Sequence, residues 1–165
     1  MGDWHLVKNI FFYKTVLGNI GIADNGSAIT NLYFNRDSVA EDMILIETDL
    51  IKKAFTQLEE YFCKNRKQFE IPLEPYGTDF MKSVWNELQG IPYGKTCTYG
   101  DIAEKIGNPK ASRAVGLANN KNPIPIFIPC HRVIGKSGKL VGYSGGLDIK
   151  EKLLYLEGST NKTLF

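Results

Sequence analysis

The sequence predicts an α+β protein in two parts: a β-sheet with one long helix at the N-terminus, and a mostly helical C-terminal part built on a helix-turn-helix. Three observations lead there. β-branched and aromatic residues cluster up to Phe34, helical spacing takes over from Asp49, and two short apolar helices joined by a Gly-containing turn follow Thr98.

In order along the chain, Ile10 to Tyr13 and Thr15 to Ala23 read as strands. Asn25-Gly26 is a hairpin turn signal, and Ile29 to Phe34 forms the returning strand. From Asp49 to Cys63, Leu50, Ile51, Ala54, Phe55, Leu58, Tyr61 and Phe62 line up as one apolar helical stripe. Residues 64–76 contain Pro72 and Pro75 and read as a linker, which divides the chain into parts 1–76 and 77–165. Phe80, Met81, Val84, Trp85 and Leu88 define a short helix stopped by Gly90. Thr98 caps the next helix, with Asp101 three residues on, and Gly107 ends it. Asn108-Pro109 then starts a helix running to about Asn119. A last helix spans Asp148 to Glu157, closed by Gly158, with a frayed tail after it.

Composition narrows the function classes. The chain has 165 residues, enough for a real core. Its net charge of +2 is uneven: residues 1–91 carry 9 Lys+Arg against 13 Asp+Glu, and residues 92–165 carry 11 against 5. The basic half is either a polyanion-binding face or ordinary surface variation. No apolar run is long enough for a membrane span, and the start lacks the layout of a signal peptide, so a cytosolic or nuclear location is expected. Three cysteines, Cys63, Cys97 and Cys130, argue against a disulfide framework, and with only His5 and His131 no metal site is expected.

Two segments carry chemistry. In the helix around P-K-A-S-R-A-V-G-L-A-N-N, Ala111, Ser112, Ala114, Gly116 and Ala118 are small and Arg113 is the lone long cation. Small residues allow close approach either to a neighbouring helix or to a DNA groove. In N-P-I-P-I-F-I-P-C-H-R-V, Cys130 adjoins His131 and Arg132. A nearby cation favours the nucleophilic thiolate, but neighbours on a strand face opposite ways, so an inert buried cysteine fits the dipeptide as well.

The wider pattern resembles the O6-alkylguanine-DNA alkyltransferase family. The resemblance covers about Phe80 to Gly158 and rests on T-Y-G-D-I-A, G-N-P-K-A-S-R-A-V-G, the I-P-C-H-R-V block, Y-S-G-G-L and K-L-L-x-x-E-G in order. It implies a ribonuclease-H-like N-terminal subdomain and a winged-helix-like DNA-binding C-terminal one. The implied activity is single-turnover repair, in which the alkyl group of O6-alkylguanine in duplex DNA passes to the protein, with O4-alkylthymine as a second substrate. No cofactor, no membrane and a monomeric state are expected. A protein that binds alkylated DNA without repairing it is the alternative; relatives of that kind lack the acceptor cysteine.

By the same resemblance Cys130 is the acceptor, His131 takes its proton through a water, and Glu157 orients that histidine. Asn122 is the hinge that braces the turn carrying the recognition helix and the active-site segment, and Tyr99 helps rotate the nucleotide and protonates the leaving base. Arg113 fills the gap left by the extruded base while Thr98, Ala111, Ser112, Ala114 and Gly116 lie along the DNA. Pro125, Val133, Tyr143, Ser144, Gly145 and Gly146 line the base pocket. Asn119 also falls there, where some members carry an apolar residue. The cysteines and histidines of the N-terminal zinc site found in some members are absent here.

Overall fold

A computed structural model describes residues 7–159. The chain divides into two compact units, Met1–Pro75 and Tyr76–Phe165.

The N-terminal unit is a four-stranded sheet in the order β3-β2-β1-β4. Strands β1 (Asn9–Thr15), β2 (Gly18–Asp24) and β3 (Ile29–Tyr33) form an antiparallel meander, and β4 (Ile44–Leu45) pairs parallel to β1. Helix α1 (Asp49–Phe62) starts where the Thr48 hydroxyl accepts from the Ile51 amide. It buries Ile51, Ala54, Leu58 and Tyr61, and β1 to β3 contribute Ile10, Ile20, Ile22, Ile29 and Leu32 to the same unit's core.

Two expectations need correction here. The segment taken as one strand from Thr15 to Ala23 is broken by a two-residue turn at Val16-Leu17, since Thr15 pairs with Gly18. The Thr15 hydroxyl closes that turn, accepting from the Leu17 amide and donating to the Gly18 carbonyl, and Gly18 supplies the positive φ of 95°. The stretch taken as a linker is not free along its length. Ile29 donates to the Pro72 carbonyl and Glu74 donates to the Ile29 carbonyl, so residues 72–74 run beside β3. Proline at an outer edge costs the sheet no ladder bond.

The C-terminal unit holds α2 (Asp79–Gln89), β5 (Cys97–Thr98), α3 (Tyr99–Lys105), α4 (Ser112–Asn120), β6 (Val133–Ile134) and α5 (Leu147–Leu156). Strands β5 and β6 pair in parallel. Thr98 and Asp101 form the expected capping box on α3. Val84, Trp85, Leu88, Ile102, Ala103, Val115 and Ala118 fill the core, and the Trp85 indole donates to the Ala118 carbonyl at 2.8 Å. Helix α4 begins three residues later than the sequence suggested. Asn108 to Ala111 closes instead as a turn, Ala111 N donating to Asn108 O at 3.0 Å, and Pro109 fits its second position. The tail expected after Gly158 lies, from residue 160, outside the described residues. Among the described residues no helix is long and apolar enough to cross a membrane.

Candidate active site

Cys130 opens a short 3-10 turn, Cys130–Arg132, between a buried loop and β6. The loop is shaped by Asn122. Its side-chain amide donates to the Ile128 carbonyl at 2.8 Å, and its oxygen accepts from the Ile124 amide at 3.0 Å. Held between these bonds, Ile126 adopts a φ of 73°, a left-handed conformation that β-branched residues avoid. The constraint fixes the approach of the chain to Cys130, a residue that is 2% exposed.

Burial pushes the Cys130 thiol up to about 11, against hydrogen bonding from Asn122, the charge of Lys150 and the local backbone amides. At neutral pH the resting group is therefore a thiol. A base must take its proton before it can act as a nucleophile.

His131 follows Cys130 directly in this turn. Its Nε2 lies 2.7 Å from Glu157 Oε1, and both side chains are without solvent exposure. Burial pulls the imidazole below its ordinary value despite Glu157, so it rests neutral. Burial opposes ionisation of Glu157, but hydrogen bonds from His131 and Arg132, with the Arg132 charge, outweigh it and hold the carboxyl at about 2. A carboxylate only accepts, so Nε2 carries the proton and Nδ1 keeps its lone pair. Nδ1 is buried and meets no hydrogen-bond partner among the described residues.

Glu157 is itself fixed from two sides. Arg132 binds it with two parallel bonds, Nε to Oε2 at 2.9 Å and an Nη to Oε1 at 2.8 Å. The other Nη of Arg132 donates to the Ile91 carbonyl at 2.7 Å, and Gly94 N donates to Glu157 Oε2 at 3.3 Å. Glu157 sits on the C-cap of α5, seven residues after Lys150 and on the same buried face with Leu153 and Leu154.

Tyr99 begins α3, and its hydroxyl donates to the Val141 carbonyl at 3.0 Å. Burial, and then the charge of Cys130, push the Tyr99 phenol above its ordinary value and keep it protonated. Asn119 is buried at the end of α4. Its amide donates to the Cys130 carbonyl at 3.4 Å, leaving Oδ1 without a protein donor. Pro125 and Val133 are buried beside this segment. Tyr143 to Gly146 close as a turn, Gly146 N donating to Tyr143 O at 3.0 Å, with Gly146 at φ 94° and Ser144 exposed.

On α4, Arg113, Ala114 and Leu117 face outward while Val115, Ala118 and Asn119 face the core. Ala111 and Ser112 are half-buried at its start. Gly116 is half-buried, and a Cβ there would sit 3.8 Å from the Tyr99 ring, an ordinary packing distance. The Thr98 hydroxyl is engaged by the Asp101 amide. Cys63 is exposed in the other unit and Cys97 is half-buried on β5. Among the described residues no cluster of His, Cys, Asp or Glu could hold a metal.

Sequence reasoning placed Arg132 only as a cation next to Cys130 and gave Lys150 no role. Helical spacing held the signal for Lys150, which falls on the apolar stripe of α5 with Leu153, Leu154 and Glu157.

Comparison with known proteins adds three findings. Residues 79–159 match the 6-O-methylguanine DNA methyltransferase DNA binding domain, and residues 11–75 match the ribonuclease-like domain of the same family. A methylated-DNA–protein-cysteine methyltransferase of Methanosarcina mazei is 46% identical over 96% of this chain and 99% of its own length. One from Mycobacterium leprae is 46% identical over 90% and 93%. The crystal structure of Mycobacterium tuberculosis OGT in complex with DNA is similar with a TM-score of 0.86 and 44% identity, covering 92% of this chain and 93% of that one.

Proposed function

The chain belongs to the 6-O-methylguanine DNA methyltransferase family, and we propose that it repairs DNA by moving an alkyl group from O6 of guanine to Cys130, once per protein molecule. The observation that carries this reading is the bond between His131 Nε2 and Glu157, which leaves the Nδ1 lone pair open on the residue next to the buried Cys130.

Direct-reversal transfer to a protein cysteine then proceeds in one displacement. The Cys130 proton passes towards His131 Nδ1, directly or through water. The sulfur forms a bond to the alkyl carbon as the bond from that carbon to O6 breaks, and the electron pair leaves on the guanine. Tyr99 returns a proton to the base, for which its hydroxyl must leave the Val141 carbonyl. A thioether has no release step, so the protein is consumed. Glu157 holds the tautomer and stabilises the imidazolium that forms. Asn119 Oδ1 offers an acceptor to the base where an apolar residue would offer only packing.

DNA engages α4. O6 is inaccessible inside the duplex, so the nucleotide must rotate out. Arg113, exposed between small residues, enters the stack in its place, and the groove walls meet Ala111, Ser112 and Ala114. Tyr143 to Gly146, Pro125 and Val133 surround the extruded base. O4-alkylthymine fits the same chemistry as a second substrate, and one chain suffices, so the protein acts as a monomer. The similar proteins named above come from prokaryotes, which supports a cytoplasmic location for this chain.

The test is a duplex bearing one O6-methylguanine. The native chain restores guanine in amounts equal to protein added, and Cys130→Ala restores none. Restoration by Cys130→Ala would move the acceptor elsewhere.

A further inference from the structure

Lys150 is the one lysine among the described residues with no solvent exposure. Its Nζ donates to three backbone carbonyls: Val133 at 2.7 Å, Val141 at 3.0 Å and Gly142 at 3.5 Å. An ammonium has three donors and no acceptor, so each of its N–H groups finds an oxygen. A neutral amine would turn a lone pair towards one of those oxygens. The cradle suits the cation.

That cation has no carboxylate. The buried carboxylate of this unit, Glu157, is held by His131 and Arg132, and Lys150 enters no ion pair among the described residues. Burial lowers the Lys150 ammonium to about 8, and the charge of Cys130 acts in the opposite direction. A buried charge without a counterion is costly. The anion that forms nearby during the reaction is the Cys130 thiolate.

The three carbonyls also have a place in the site. Val133 follows the turn that carries Cys130. Val141 and Gly142 lead into the Tyr143–Gly146 loop, and the Val141 oxygen accepts from Tyr99 as well as from Lys150. Gly142 has φ 48° and lies so close to Asn120 that a Cβ would meet its amide at 2.9 Å. Lys150 therefore joins α5 to the acceptor segment and to the loop beside Tyr99.

We propose that Lys150 is a positioning residue for alkyl transfer, its ammonium holding the Val141-Gly142 segment against the Cys130 turn and serving as the countercharge of the Cys130 thiolate. It neither gives nor takes a proton in the displacement. The inference rests on Cys130 as the alkyl acceptor.

Three variants separate charge from hydrogen bonding: Lys150→Gln keeps donors without charge, Lys150→Arg keeps both, and Lys150→Met keeps neither. The first readout is the pH midpoint for modification of Cys130 by iodoacetamide, measured on the Cys130 peptide by mass spectrometry. The other titratable groups around this pair are Tyr99 on α3, Cys97 on β5 beside Val133, His131 and Arg132 on the Cys130 turn, and Glu157 on α5. All are common to the variants. The second readout is the single-turnover rate on duplex O6-methylguanine, with circular dichroism to establish folding.

Loss of the charge is expected to raise the Cys130 midpoint by about one pH unit in Lys150→Gln and Lys150→Met, a roughly tenfold loss of thiolate and of rate at neutral pH. Lys150→Arg is expected to keep the midpoint near the native value. An unchanged midpoint in Lys150→Gln overturns the countercharge, and native rates in all three variants overturn the positioning role. If Lys150→Met does not fold, the Gln and Arg pair decides. Iodoacetamide needs no alkyl transfer, so a failure of Cys130 as acceptor, read with Cys130→Ala, stays distinguishable from a failure of Lys150.

Discussion

His131 Nε2 stands 2.7 Å from Glu157 Oε1 with both side chains shut away from solvent. This leaves Nδ1 as the ring nitrogen whose lone pair is open. Glu157→Gln keeps the shape but offers an N–H or a weaker acceptor to His131, so the ring is free to turn or change tautomer. The expected result is alkyl transfer slowed by about 100-fold or more. It is checked by single-turnover kinetics beside circular dichroism, because Arg132 is left buried without its anion. A rate within a few-fold of the native one would remove Glu157 from the relay.

The same pair makes stability depend on acid. Glu157 is depressed to about 2, so its contribution is complete above the unfolded carboxylate value and disappears as pH falls from there through about 2. His131 is also depressed, because burial favours its neutral form, and its contribution fades as pH falls below the ordinary imidazole value. Both act in one direction. The urea midpoint should decline from about pH 6.5 downward. In Glu157→Gln the decline below about pH 4.5 should be shallower.

Arg113 is exposed on α4 and absent from the chemistry around Cys130. Arg113→Ala should slow repair of duplex O6-methylguanine by at least about tenfold, a stacking or charge contact of one or two kcal/mol. It should leave reaction with the free alkylated base nearly unchanged. Equal losses on both substrates would contradict an intercalating role.

Gly77 lies against the core of the C-terminal unit: a Cβ there would come within 2.4 Å of the Trp85 ring. Trp85 is pinned by its bond to Ala118 and cannot yield easily. Gly77→Ala should cost about 1–3 kcal/mol, seen as a lower denaturant midpoint.

The parts of this molecule that the sequence disclosed are those with local causes. Thr98 with Asp101, the apolar stripe of α1 and the stop at Gly90 are settled within a turn or two of chain. The linked motifs around Cys130 indicated the site by resemblance, and the structure brings His131, Glu157, Asn122 and Asn119 together around that segment. Other features depend on distant partners. Residues 72–74 run beside β3 because Ile29, more than 40 positions away, offers both its amide and its carbonyl. The turn at Val16-Leu17 carries no turn residue of its own and is closed by the Thr15 hydroxyl and Gly18. The partners of Arg132 and Lys150 likewise come from distant segments: the fold supplies Glu157 to one and three carbonyls to the other.

The central claim is that Cys130 is the group that becomes alkylated. Its most direct test is the intact mass of the protein after reaction with a slight excess of duplex carrying one O6-methylguanine, followed by peptide mapping. The account predicts a gain of one methyl per chain, located on Cys130 and absent from Cys130→Ala. A methyl on Cys63 or Cys97, or an unchanged mass with the duplex bound and still methylated, would contradict it.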